Sequence, residues 1–203
     1  PESCLVTLKG RPKKGVTAKD IALKIQTIAP PDHLIYKAIE IGGDYAHEMS
    51  VASRLVIANM MCETGAKCGI LPPDQVVADY LGEELCSLAS DPDAVYTDRY
   101  EVDLDALEPV LACPHAVQNV KNVTEVEGVK VQQAFLGSCT NGRIEDFLQA
   151  AEILRGRKIH PNVRMIVVPG SQTIYLEMAR MGLLGLFTEC GAAVLSPGCA
   201  SCG

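Results

Sequence analysis

From residue 130 onward the chain alternates short apolar runs with helix-like stretches, and this alternation limits the available folds more than any other feature. Lys130 to Leu136 reads as a strand, Ile144 to Leu154 as a helix, and Val163 to Val168, rich in Val and Ile, as a buried strand. Thr173 to Met181 reads as a second helix that stops at Gly182, and Ala192 to Leu195 as a third strand. Strand–helix–strand units of this kind join parallel strands and pack helices against the sheet. The expected class is α/β, a three-layer α/β/α arrangement with a mostly parallel sheet.

The first half carries comparable elements. Ser3 to Leu8 reads as a strand. Thr17, with Asp20 three positions on, has the form of a capping box. It opens a helix that runs to about Ile28 and stops before Pro30-Pro31. Leu34 to Ile41 has the apolar content of a strand, ended by Gly42-Gly43. Ser50 to Thr64 lacks Gly and Pro and reads as one helix, with Gly65 near its C-cap. A short helix is expected over Pro73 to Leu81, a loop over Ser87 to Asp98, a strand over Arg99 to Leu104, and a polar connector through Pro114. The change of rhythm places a domain boundary near residue 110. Residues 1–109 then form one partial α/β domain and 110–203 a second.

Charge and composition exclude several function classes. With 48% hydrophobic residues the 203-residue chain has enough apolar material for a real core. Aromatics are 4% and Trp is absent, so that core is aliphatic. A net charge of -7 with no basic stripe argues against a nucleic-acid partner. No apolar run reaches the roughly 18–20 residues of a membrane span. Pro1-Glu2-Ser3-Cys4 reads as neither a signal nor a transit peptide. Nine cysteines, an odd number in a chain too large to need disulfide staples, suggest a reducing cytoplasm. Most would be small core residues and a few would be ligands.

In α/β sheets the ligand-binding loops follow the carboxyl ends of strands. Two cysteine loops fall there. Gly137-Ser138-Cys139-Thr140-Asn141-Gly142 follows one strand, and Ser196-Pro197-Gly198-Cys199-Ala200-Ser201-Cys202 follows another. Both are expected on one edge of one sheet, where three thiolates can converge. Three cysteines are too few for a Cys₄ cluster or a structural zinc site. They suit a cluster with one iron free of protein, able to act as a Lewis acid on a substrate oxygen. The small residues Gly137, Ser138, Gly198, Ala200 and Ser201 would let backbone N–H groups approach cluster sulfurs. Cys-x-x-Cys alone also fits a redox pair, a zinc site or two buried thiols.

The words around these cysteines are more specific. "GSCTNGRIEDF", "VVPGS" and "SPGCASC" resemble the aconitase superfamily, most closely the large subunits of 3-isopropylmalate dehydratase and homoaconitase. In the first half, "LKGRPKKGVTAKDI" and "SRLVIANMMCETGAKCGILPPDQ" are similar to segments of the same subunits, and "PHAVQNV" and "VTEVEG" resemble the linker to their cluster domain. The resemblance spans essentially the whole chain. It implies a [4Fe–4S] cluster held by Cys139, Cys199 and Cys202, with the second domain an iron–sulfur domain truncated on its C-terminal side. It implies a hydro-lyase that removes water from a 2- or 3-hydroxy di- or tricarboxylic acid and returns it with the hydroxyl moved. Asn59 matches an asparagine beside the cluster, and Glu63 a glutamate near the iron-bound hydroxyl. Their i, i+4 spacing would place both on one helix face. Ser138, Asn141 and Arg143 would support the site from behind, Arg143 equally as a helix-start residue.

The resemblance also carries differences. The family's large subunit is about twice as long, its further active-site histidines and aspartates have no match here, and an Asn-Arg pair past the last cysteine is absent. Its serine base sits on a swivelling domain, in this branch a separate small subunit. The chain is therefore expected to be a central piece of a large subunit, inactive alone, with an incomplete or empty cluster site and apolar exposed faces. The implied activity is isomerisation of 2-isopropylmalate and 3-isopropylmalate in leucine biosynthesis. Homoaconitase and a dimethylmalate-type dehydratase are the close alternatives. A non-enzymatic iron–sulfur or zinc scaffold, or an iron sensor, is the distant one. Cys62, Cys68, Cys86, Cys113 and Cys190 are expected to be packed thiols, Cys62 pointing about 100° away from Glu63 around the helix. His47 and His115 are expected in surface or capping roles, and Arg54 as either structural or substrate-facing.

Overall fold

In strand β1 (Ser3–Lys9) every second side chain is buried, which puts Cys4, Val6 and Leu8 on one face of a sheet. The structure, a computed structural model, describes residues 1–30, 32–84 and 89–199. Cys86, Ser87 at the start of the expected loop, and Cys202 lie outside these. After β1 come α1 (Ala18–Ile25), β2 (Ala38–Gly42), α2 (Asp44–Glu48), α3 (Val51–Met60), β3 (Cys68–Ile70), α4 (Gln75–Leu81) and β4 (Asp98–Asp103). The four strands form one all-parallel sheet in the order β3-β2-β1-β4. Ile21, Ala22 and Ile25 of α1 and Val56, Ile57 and Met60 of α3 close over Val6, Leu8, Ile39, Ile41 and Val102.

Asp20 anchors this layer. One carboxylate oxygen accepts from the Thr17 backbone N–H and hydroxyl, both at 2.7 Å, which forms the expected box at the start of α1. The other accepts from the Val110 N–H at 2.8 Å, ninety residues away. It thereby ties the hairpin of β5 (Val110–Ala112) and β6 (Val120–Asn122) to the first helix. The chain forms two compact units, Pro1–Glu127 and Gly128–Gly203. The expected boundary near residue 110 lies inside the first of them, because this antiparallel hairpin packs on the first unit's core through Val110 and Val120.

Three expected spans of the first unit shift by three residues or more. Helix α1 ends at Ile25 rather than near Ile28, with Gln26 as its C-cap, and the Gln26 amide donates to the Met60 carbonyl at 2.8 Å. Strand β2 starts at Ala38 rather than Leu34, after a turn in which Tyr36 takes a positive φ of 64°. The stretch expected as one helix over Ser50 to Thr64 is α-helical only to Met60, and Met61–Thr64 is a 3₁₀ turn closed by Gly65 in the left-handed region. The Thr64 hydroxyl bonds the Met61 carbonyl at 2.7 Å in that turn.

The second unit continues with β7 (Gln133–Gly137), the single turn α5 (Ser138–Asn141), α6 (Ile144–Leu154), β8 (Arg164–Val168), α7 (Gln172–Arg180), α8 (Leu183–Cys190) and β9 (Ala193–Val194). Its three strands are all parallel in the order β7-β8-β9. Phe147, Met178 and Phe187, one from each long helix, are fully buried with Val167 of β8. The two Phe rings meet edge to face, centroids 6.0 Å apart, an arrangement worth roughly 0.5–1.5 kcal/mol beyond burial. Both units are thus parallel sheets with packed helices, as the α/β expectation requires. Among the described residues no helix is long and apolar enough to cross a membrane.

At the entry to β4, Asp98 binds Lys37 Nζ at 2.5 Å and His33 Nε2 at 3.0 Å. The hydrogen bond from Lys37, then that from His33, hold its carboxyl far below the usual carboxylate range. A carboxyl whose pKa is depressed by folding stabilises the folded state above its unfolded value and loses that contribution as pH falls towards the folded one. Asp98→Asn is therefore expected to lower the melting temperature at neutral pH. The gap from wild type should narrow as pH falls from about 5 to about 2. Circular dichroism melts across that range check this.

Candidate functional site

The site is built at the carboxyl edge of the β7-β8-β9 sheet. Because the strands are parallel, the loops after β7, β8 and β9 all leave at this edge, and β8 lies between the strands that lead to Cys139 and Cys199. Gly137 ends β7 with φ of 138°, and a Cβ there would meet the Val168 carbonyl oxygen at 1.9 Å. Ser138 follows with φ of 66° and is 1% exposed. This sharp reversal starts α5 immediately after the strand, and Cys139 lies in its first turn, exposed and free.

Backbone contacts join the three loops. The Gly170 N–H, from the "VVPGS" loop after β8, donates to the Gly142 carbonyl at 3.0 Å. A Cβ on Gly142 would lie 2.2 Å from the Ser138 carbonyl oxygen and 2.8 Å from the Gly170 nitrogen, so the approach tolerates no side chain. The Gly198 N–H reaches the Pro169 carbonyl at 3.3 Å, and the Leu195 N–H the Val167 carbonyl at 2.9 Å. The Ser138 hydroxyl donates to the Cys199 sulfur at 3.7 Å. Cys199 is exposed and free. The structure therefore brings the Cys139 and Cys199 loops together.

Among the described residues no group of three His, Cys, Asp or Glu side chains is placed to hold a metal ion. Of the three expected ligands, Cys202 lies outside those residues. Asn141 ends the α5 turn, and Arg143 is the N-cap of α6. The Asn141 amide and the Arg143 N–H both donate to the Asp146 carboxylate, each at 3.0 Å. The Arg143 Nε is buried without a partner. The sequence reading passed over Asp146 and Gly170. Their signals were an acid at the third position of α6 and the Pro-Gly-Ser word before the Ser171 cap.

Asn59 and Glu63 belong to the first unit, and both are exposed. Asn59 is in α3 and Glu63 in the 3₁₀ turn, where the repeat falls from 3.6 to three residues. The four-residue stacking expected of one unbroken helix therefore does not carry across Met60. Cys62 is also exposed, and its thiol donates to the Asn59 carbonyl at 2.9 Å. Cys68 is likewise exposed rather than packed, whereas Cys4 and Cys190 are buried.

Arg54 is spent on structure. Only 4% exposed, it donates to the carbonyls of His47, Met49 and Pro72 and places Nη1 and Nη2 on the two Asp74 oxygens at 2.8 and 3.0 Å. His47 Nδ1 lies 2.8 Å from the same carboxylate. Partial burial pushes the Asp74 carboxyl upward, but the hydrogen bonds from Arg54 and His47 outweigh it and leave it below the usual range.

A family model described as the aconitase family (aconitate hydratase) matches residues 1–203. The chain belongs to the aconitase family. It is 43% identical over 209 residues to the 3-isopropylmalate dehydratase large subunit 1 of Thermotoga maritima, covering 100% of this chain and 50% of that one. It is 44% identical over 207 residues to the large subunit 2 of Archaeoglobus fulgidus, again with 100% and 50% coverage. The probable methanogen homoaconitase large subunit of Methanothermobacter thermautotrophicus is 41% identical over 206 residues, with 100% and 48% coverage. The chain thus spans about half the length of the curated relatives it matches. The crystal structure of Thermococcus kodakaraensis aconitase X in its holo form aligns with a TM-score of 0.57 at 10% identity, covering 98% of this chain and 44% of that one. That likeness is one of fold alone.

Proposed function

We propose that this chain is the cluster-binding part of a hydro-lyase that interconverts 2-isopropylmalate and 3-isopropylmalate by loss and return of water, as in leucine biosynthesis. The observation that carries the reading is the pair of free, exposed cysteines on one sheet edge, their loops joined by the Ser138–Cys199 bond inside a glycine-lined cradle. Thiols in such a cradle suit an iron–sulfur cluster: glycines let backbone N–H groups approach sulfur, and the hydroxyl offers a further donor. Cys139, Cys199 and Cys202 would hold a [4Fe–4S] cluster. When bound with only three cysteines, such a cluster supplies one iron as a Lewis acid for the substrate hydroxyl.

The chain's own residues would do the rest of its share. Ser138 would steady Cys199 through its hydroxyl, and Asn141 and Arg143 would back the Cys139 turn. Asn59 and Glu63 are proposed to act at the substrate's hydroxyl, Glu63 as the hydrogen-bonding carboxylate. The relatives' printed names, being those of large subunits, support a small-subunit partner, which would carry the swivelling domain. Exposed free thiols suit a reducing cytoplasm. Homoaconitase is the second reading, supported by the 41% identity to the Methanothermobacter relative.

The test is an anaerobic assay of the iron–sulfide-reconstituted chain with a small subunit, offering 2-isopropylmaleate and homoaconitate in turn. Hydration of 2-isopropylmaleate is expected to be the faster. Faster turnover of homoaconitate would favour the second reading, and turnover of neither would count against both.

A further inference from the structure

We infer that Asp146 is a positioning residue for the cluster cysteine Cys139, fixing through Asn141 the single turn that presents the thiol; this rests on the cluster reading above. A four-residue turn such as Ser138–Asn141 is too short to hold itself, since nucleating one helical turn is unfavourable. It also begins on Ser138 in the left-handed region, which is unfavourable for a non-glycine residue. Something outside the turn must keep it in place.

The Asp146 carboxylate does so with both oxygens. Oδ2 accepts from the Arg143 N–H at 3.0 Å, which is ordinary capping of α6. Oδ1 accepts from the Asn141 side-chain amide at 3.0 Å, which capping does not require. That second bond ties the far end of the cysteine turn to the first turn of an eleven-residue helix, whose next residue, Phe147, is fully buried in the core. It also fixes the Asn141 amide: the nitrogen end is taken, so the oxygen end is left for other groups. Together with the Gly170–Gly142 bond, it anchors the turn at two points.

Two substitutions separate positioning from capping. Asp146→Asn keeps an oxygen for the Arg143 N–H but sets an amide NH₂ where Asn141 had a carboxylate oxygen, so Asn141 must turn its own amide over to keep any bond. Asn141→Ala removes the tie and leaves the cap intact. Each protein is reconstituted anaerobically with iron and sulfide. Bound iron and sulfide, the rate of cluster loss to a chelator, the EPR line shape and the melting temperature are then measured. Both variants are expected to lose the cluster about tenfold faster than wild type, the scale for groups that support metal ligands. They should also share an altered line shape, and the double variant should be no worse than the worse single one. Wild-type loss rates and line shapes in both variants would overturn the inference. So would a defect confined to Asp146→Asn and accompanied by a lower melting temperature, which is the mark of a lost cap. A wild-type protein that takes up no cluster would overturn the cluster reading itself, an outcome distinct from either.

Discussion

Cys139→Ser is expected to abolish cluster uptake: after anaerobic reconstitution the variant should bind less than about a tenth of the wild-type iron and sulfide. The effect is large because the proposed ligand set has no spare member. The proposed set is three cysteines, and a serine hydroxyl is a poor substitute for a thiolate towards iron. The variant should fold normally, since Cys139 is exposed and its thiol is not part of either core. Iron and sulfide analysis beside a circular dichroism melt separates the two possibilities. Normal melting with lost uptake supports a ligand role, and full uptake removes Cys139 from the ligand set.

Arg54→Met is expected to destabilise the first unit by about 3 kcal/mol, the lower end for breaking a buried ion pair by removing one partner. Met fills most of the volume, so the loss is electrostatic rather than a cavity. Three backbone carbonyls and the Asp74 carboxylate lose their donor together. The Asp74 carboxylate then keeps single contacts, to His47 Nδ1 at 2.8 Å and to the Val76 N–H at 3.2 Å, in place of the two-point guanidinium pair. Urea unfolding followed by circular dichroism measures this. A loss under about 1 kcal/mol would mean that water replaces the guanidinium at little cost.

The parallel strands and the helices α6 and α7 of the second unit were legible because their signals are local. A Val-rich run and the Gly182 stop are each read within a few residues. The elements that escaped depend on distant partners or on backbone geometry. Helix α8 lacks a capping side chain and contains Gly185, so its apolar sequence gives no clear start. The β5-β6 hairpin looked like a connector because the group that anchors it, Asp20, is ninety residues away. The break after Met60 has no Gly or Pro to announce it. At the site, the cysteine words and the edge on which they sit could be read directly. The Gly142–Gly170 contact could not, because those residues meet only once β7 and β8 pair, and the Asp146 bond to Asn141, five positions away, depends on how the chain turns between α5 and α6.

The proposed three-cysteine site would hold a cluster with one iron free of protein. The direct measurement is anaerobic reconstitution of the wild-type chain, with iron and acid-labile sulfide counted per chain and EPR recorded before and after brief oxidation. The expected result is about four of each per chain, with one iron lost on oxidation to leave a three-iron signal that ferrous iron added with the reductant dithionite reverses. Zinc with no acid-labile sulfide, or a cluster that keeps all its iron through oxidation, would contradict it.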